Sequence, residues 1–130
     1  MTTTQKKRIL VVDDEPGFTR LLKLNLEQTG LYEVHVENAV DQVLAAARLF
    51  KPDLVFMDVM MPDMDGGELA GRLRQVTALK RIPIVFLTAA VKKEEVRSRQ
   101  GQIGGFPFIA KPVDLNELLE ALKLYLADQT

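Results

Sequence analysis

Five side chains stand out by type and by place. Asp13 and Asp14 follow the apolar run Ile9-Leu10-Val11-Val12, and Asp58 follows Leu54-Val55-Phe56-Met57. Thr88 follows Ile82 to Leu87, and Lys111 comes just after Phe106 to Ile109. Each stands where a short apolar run stops. Three carboxylates brought together repel one another unless a cation sits among them. Hard oxygen donors, with no His or Cys beside them, favour Mg²⁺ over Zn²⁺. Mg²⁺ keeps several waters and usually takes one or two carboxylates plus phosphate oxygens of a substrate. A neighbouring ammonium and hydroxyl suit the remaining oxygens of a phosphoryl group. A carboxylate can itself be the nucleophile and become an aspartyl phosphate. The chemistry these residues point to is phosphoryl transfer onto one aspartate.

That chemistry requires the five to meet, and the pattern of the chain provides for it. Short runs rich in β-branched residues alternate with longer amphipathic ones. Ile9 to Val12, Val34 with Val36, Leu54 to Met57, Ile82 to Leu87 and Phe106 to Ile109 read as five strands. The first is apolar throughout, as a strand buried on both faces must be. Phe18, Leu21, Leu22 and Leu26 fall on one face of a first helix that Gly30 would stop. Val40, Val43, Leu44 and Ala47 mark a second helix, closed by the turn Lys51-Pro52-Asp53 because proline cannot continue it. Leu69 and Leu73 mark a short third helix, and the charged stretch Lys92 to Gln102 a fourth. Leu115, Leu118, Leu119, Leu122 and Leu126 mark a fifth, with Asp114 as its N-cap. Strands alternating with helices imply an α/β fold in three layers, a parallel sheet covered on both sides. Ligands of open α/β sheets bind beyond the carboxyl ends of the strands, which is where all five residues fall.

Taken singly, each residue has a plainer reading. Asp13-Asp14 could cap the first helix, Asp58 could begin a turn, Thr88 could be a strand-end hydroxyl and Lys111 a solvated cation. Their shared position on one rim of one sheet favours the functional reading. Met57, Met60, Met61 and Met64 read as packing side chains. His35, between Val34 and Val36, points to the opposite face and reads as an ordinary surface or helix-covered histidine.

Composition narrows the alternatives. The chain has 130 residues, of which 47% are hydrophobic and 27% charged, as in a globular domain and unlike a disordered one. A net charge of −1 gives no basic field for nucleic acid, and the absence of cysteine excludes disulfides and thiolate metal sites. No apolar run reaches the roughly 18 residues a bilayer span needs, so no membrane association is expected and the cytoplasm is the expected compartment. Residues 8–127 read as the core of one domain filling the chain, behind a polar tail at 1–7.

Four stretches, in order and spacing, resemble the receiver domain of bacterial two-component response regulators, the CheY-like family: "ILVVDDE" (Ile9 to Glu15), "KPDLVFMDVMMPDMDG" (Lys51 to Gly66), "IPIVFLTA" (Ile82 to Ala89) and "FIAKP" (Phe108 to Pro112). The resemblance implies a flavodoxin-like sheet of five parallel strands in the order 2-1-3-4-5 with five helices. It implies that Asp58 is the phosphoacceptor for a sensor histidine kinase or histidine phosphotransferase. Asp13, Asp14, Asp58 and the main-chain carbonyl of Met60 would bind Mg²⁺, or Mn²⁺ in its place, with Asp13 acting mainly through water. Thr88, the Ala89 amide and Lys111 would hold phosphoryl oxygens, Lys111 and Thr88 serving the transfer itself. Thr88 and Phe108 would form the switch, and the output face would be the fourth helix, fifth strand and fifth helix. Lys111-Pro112 is a candidate cis bond, and Gly66 would permit a tight turn into the third helix.

Some positions depart from the family pattern. Phe108 stands where many receivers have Tyr, and Phe106-Pro107 replaces the more usual acidic pair. The fourth helix is unusually charged through Lys92, Lys93, Glu94, Glu95, Arg97 and Arg99, either as a solvated face or as a partner surface. Two other functions compete. A haloacid-dehalogenase-like phosphohydrolase would need a second Asp two residues after Asp58, where this chain has Met60. A receiver-like interaction module working without phosphorylation would typically lack an acidic or lysine position, and none is missing. The expectation is a switch whose only catalysis is its own phosphorylation and slow dephosphorylation. The kinase, downstream partner and oligomeric state are not written in the sequence, nor whether this is a stand-alone receiver or part of a longer regulator.

Overall fold

The computed structural model describes residues 6–61, 66–89, 102–103 and 106–127. Strand β1 (Lys7–Val12) leads to helix α1 (Pro16–Glu27), β2 (Tyr32–Glu37), a single 3₁₀ turn (Val40–Gln42) and α2 (Val43–Phe50). Then come β3 (Leu54–Asp58), α3 (Gly66–Gln75), β4 (Ile84–Thr88), the two-residue β5 (Gln102–Ile103), β6 (Phe106–Ala110) and the C-terminal helix α4 (Leu115–Ala127). The sheet order is β2-β1-β3-β4-β6-β5. Its first five strands are parallel, in the expected order with β6 as the fifth.

The added edge strand β5 runs antiparallel to β6, pairing Gln102 with Pro107 and Ile103 with Phe106. It corrects the end of the expected fourth helix, since Gln102 is in a strand. The rest of that expected helix, Lys92 to Gly101, lies outside the described residues.

Side chains alternate across the sheet and divide the core in two. Leu10, Val12, Val55, Met57, Ile84 and Phe86 face α2 and α3, while Ile9, Val11, Leu54, Phe56, Val85 and Leu87 face α1 and α4. These strands are buried on both faces, which explains their unbroken apolar runs. The helices contribute Leu22 and Leu26 from α1, Val43 and Ala47 from α2, Leu69 and Leu73 from α3, and Leu118 and Leu122 from α4. Leu21, expected on the buried face of α1, is instead 57% exposed. At 100° per residue it lies a full step round from Leu22, on the flank of the stripe.

The turns obey their local chemistry. Gly30 takes a φ of 78° and Lys51 closes α2 in the left-handed region at 55°. The Asp114 carboxylate accepts the Asn116 N–H at 3.0 Å, the cap expected at the start of α4. His35 is exposed, as its alternation requires, and its ring lies 5.3 Å from that of Phe50.

Candidate functional site

Register brings the candidate residues to one rim. Val12 pairs with Met57, Met57 with Phe86 and Phe86 with Phe108, so the next residue of each strand lies at the same level. Asp13 thus stands beside Asp58, Asp58 pairs with Leu87, and Thr88 pairs with Ala110. The main chain closes the rim where the Lys111 N–H donates to the Thr88 carbonyl at 2.8 Å. Alternation does the rest. Asp13 follows Ile9 and Val11, Asp58 follows Leu54 and Phe56, and Lys111 follows Ile109, all on the α1 side.

On that side the three carboxylates converge. Asp13, Asp14 and Asp58 each offer an oxygen within 4.8 Å of the others. Asp13 and Asp58 are buried, and Asp14 is the most accessible of the three. Asp13 is fully engaged. Its main-chain N–H donates to the Glu37 carbonyl at 3.2 Å, and its own carbonyl accepts from Asn38 Nδ2 at 2.8 Å. Its Oδ1 accepts the Glu15 N–H at 3.0 Å and its Oδ2 the Lys111 ammonium at 2.7 Å. Neither Asp13 nor Asp14 caps α1, whose N-cap is Glu15 with no side-chain bond, so the plain capping reading does not hold. Asn38 also donates to the buried Thr19 hydroxyl at 3.0 Å. Asn38, one residue past the end of β2, is not among the residues that the sequence pattern singles out.

Asp58 closes β3. Its Oδ1 accepts the Met60 N–H at 3.3 Å, and its Oδ2 lies 3.8 Å from Lys111 Nζ. Burial, then the Asp13 and Asp14 charges, push its carboxyl above the usual range, while Lys111 and the Met60 N–H pull the other way. For Lys111, burial alone would favour the neutral amine. The hydrogen bond and charge of Asp13, with Asp58 and Glu15, outweigh it and hold the ammonium above its ordinary value. The site therefore holds one firm positive charge facing an excess of negative charge.

A cavity of about 410 Å³ opens here, lined by Asp14, Glu15, Asp58, Met60, Thr88, Ala89 and Lys111. Thr88 is fully buried and Ala89 exposed at its wall. Met60 corrects the expectation of a packing side chain. It is 67% exposed, because the chain turns out of the sheet after Asp58, whereas Met57 and Met61 do pack inside. Met64 lies outside the described residues. Gly66 is required for a different reason from the turn expected of it. Its φ is not left-handed; rather, a Cβ here would collide with the Asp58 carbonyl oxygen and come within 2.8 Å of Val59 Cα. Its N–H donates to the Val59 carbonyl at 2.7 Å, fixing α3 against the loop after Asp58. Lys111-Pro112 is cis. Phe108 is buried at 5% exposure and pairs with Phe86 across the sheet.

A sequence profile of the response regulator receiver domain matches residues 9–123. The chain belongs to this family. Receiver domains are signalling switches of two-component systems that pair with histidine kinases or phosphotransfer proteins, and they bind Mg²⁺ in an acidic pocket. The polar-differentiation response regulator DivK of Brucella anthropi is 32% identical over 94% of this chain and 98% of its own length. The alkaline phosphatase synthesis transcriptional regulatory protein PhoP of Bacillus subtilis is 39% identical over 92% of this chain, which spans only 48% of that regulator. Among solved structures, a putative response regulator from Chloroflexus aurantiacus superposes with a TM-score of 0.80 at 31% identity, covering 95% of this chain and 99% of its own. The chemotaxis protein CheY4 of Vibrio cholerae gives a TM-score of 0.79 at 27% identity, covering 93% and 99%. Among the described residues no helix is long and apolar enough to cross a membrane.

Proposed function

We propose that this receiver is a phosphorylation switch with Asp58 as its acceptor, and that residues 8–127 form its single domain behind a polar tail. The observation that carries the reading is the buried Asp58 carboxylate at one wall of the cavity, 3.8 Å from the Lys111 ammonium and grouped with Asp13 and Asp14. An Asp58 oxygen attacks the phosphorus of the donor in line. The new bond is the Asp58 oxygen–phosphorus bond, and the bond to the leaving group breaks and takes its electron pair with it. Thr88 and the Ala89 N–H bind phosphoryl oxygens, and Lys111 pairs with another.

The donor set fits a hard divalent cation. It is made of carboxylates, the one imidazole of the chain is on β2 against Phe50, and there is no cysteine. Asp13, Asp14, Asp58 and the Met60 carbonyl would hold Mg²⁺, or Mn²⁺, with Asp13 acting mainly through water. When bound, the ion would supply positive charge against the phosphoryl oxygens.

The phosphoryl donor is a sensor histidine kinase or histidine phosphotransferase, and the receiver acts from the cytoplasm. Its output face includes β6 and α4. A groove of about 250 Å³ lies there, lined by Phe108, Ile109, Glu117, Glu120, Leu124 and Tyr125. Phosphorylation draws Thr88 toward the new oxygens, and the buried Phe108 follows by turning inward, which weights the population of one output-face conformation over the other.

Mixing the protein with acetyl phosphate and Mg²⁺ and weighing it intact tests the reading. Capture of one phosphoryl mass supports the switch. Consumption of the donor without capture would make the protein an enzyme. No reaction would leave a phosphorylation-independent interaction module.

A further inference from the structure

Among the described residues, four groups surround Lys111 Nζ closely. Three are carboxylates: Asp13 at 2.7 Å, Asp58 at 3.8 Å and Glu15 at 3.8 Å. The fourth is uncharged, the ring of Phe18, whose centroid lies 4.3 Å away. Phe18 sits in the first turn of α1, partly buried and packed on the apolar cluster beneath it, so the ring is anchored. An ammonium over an aromatic face at this distance is drawn by the ring quadrupole.

The two kinds of attraction respond differently to a metal. A divalent cation among Asp13, Asp14 and Asp58 neutralises the charges that hold Lys111, and it repels the ammonium directly. Glu15 then pulls the ammonium outward, but its side chain is 69% exposed and its pull is screened. The ring is not a metal ligand, so its attraction survives the ion. It also covers one side of the ammonium, leaving the cavity side open toward Asp58 and Thr88.

We propose that Phe18 is a positioning residue, whose ring face keeps the Lys111 ammonium at the phosphoryl cavity once the carboxylates are occupied by the metal. The proposal rests on Asp58 being the acceptor, and its test has an arm that does not. In the parent and in Phe18→Tyr, the Lys111 ε-protons should show an upfield ring-current shift by NMR, persisting when Mg²⁺ saturates the site. Phe18→Leu, which keeps apolar volume and loses the ring, should lose the shift. At saturating Mg²⁺ its capture of phosphoryl from acetyl phosphate should slow about threefold to tenfold, with Phe18→Tyr within about twofold of the parent. The Mg²⁺ affinity of Phe18→Leu should stay within about twofold, since no metal ligand is touched. A purely structural role would lower the melting temperature without this pattern, and Phe18→Met replaces Phe18→Leu if the latter does not fold. Parental capture by the leucine or methionine variant overturns the proposal, as does collapse of the Lys111 shift when Mg²⁺ is added to the parent. If the parent captures nothing, the acceptor reading fails, while the Lys111 shift in the metal-loaded protein still decides the role of Phe18.

Discussion

Asp58→Asn should make the metal-free protein more stable. Asp58 is buried within 4.8 Å of two other carboxylates and 3.8 Å from one ammonium. At an effective dielectric of about 20, each repulsion is worth about 3 kcal/mol and the attraction about 4 kcal/mol, so the unbalanced part is about 2–3 kcal/mol. Asp14 is the most accessible partner and its share is screened, which reduces the expected gain to about 1–2 kcal/mol. Asparagine keeps an oxygen for the Met60 N–H, so no hydrogen bond need be lost. For a chain of this size the gain corresponds to a rise of roughly 3–10 °C in melting temperature. The assay is thermal unfolding by circular dichroism at neutral pH with chelator present. The pH dependence has a definite sign. Asp58 has a raised folded pKa, so the folded state holds its proton more tightly than the unfolded state. Its handicap is fully present above the raised value and disappears as pH falls through that value toward the ordinary carboxylate range. The advantage of the asparagine variant should shrink over that interval. Saturating Mg²⁺ should erase or reverse it, because the ion binds the folded parent more tightly than a variant that has lost one of its carboxylates. Equal or lower stability of Asp58→Asn at neutral pH without metal would refute the charge-imbalance argument.

Lys111→Met should slow phosphoryl capture on the order of 10²-fold, measured by intact mass against time, because a positioned charge on the transferring group is lost. It should also destabilise on the order of 3 kcal/mol in denaturant unfolding, since Asp13 keeps a buried charge without its partner. Gly66→Ala should cost about 1–3 kcal/mol by the same measurement, as its methyl group meets the backbone of Asp58 and Val59. The lifetime of the phosphorylated state should be long, because Met60 at the cavity mouth cannot orient an attacking water through its side chain. Ala90, two residues after Thr88 and outside the described residues, likewise carries no polar group. Introducing Met60→Asn with Ala90→Glu should speed decay after donor removal by about tenfold, and equal decay in both proteins would show that other groups set the lifetime.

Much of the fold and rim was legible because burial and periodicity fix them together. Strands apolar on both faces announced a parallel sheet, and residues one step past their ends had to share its carboxyl rim. The details that escaped depend on backbone placement. Met60 and Met57 are the same residue type three positions apart, yet the chain leaves the sheet between them and only Met57 packs. Turn freedom is the reason the sequence offers for Gly66, but it is the approach of α3 to the Asp58 carbonyl that excludes a side chain. Leu21 and Leu22 both fit an apolar stripe, and only the packing of α1 on the sheet chooses between them. The two-residue strand at Gln102–Ile103 is too short to carry a period. Asn38 and Phe18 are ordinary residue types until the fold brings one to the Asp13 carbonyl and the other to Lys111.

The most direct test of the account locates the captured phosphoryl group. After brief exposure to acetyl phosphate and Mg²⁺, reduction of the acyl phosphate with borohydride converts the modified aspartate to homoserine, which peptide mass spectrometry can place in the chain. One modified residue is expected, Asp58, with no trapping in Asp58→Asn. Homoserine at Asp13 or Asp14, or undiminished trapping in the variant, would contradict it.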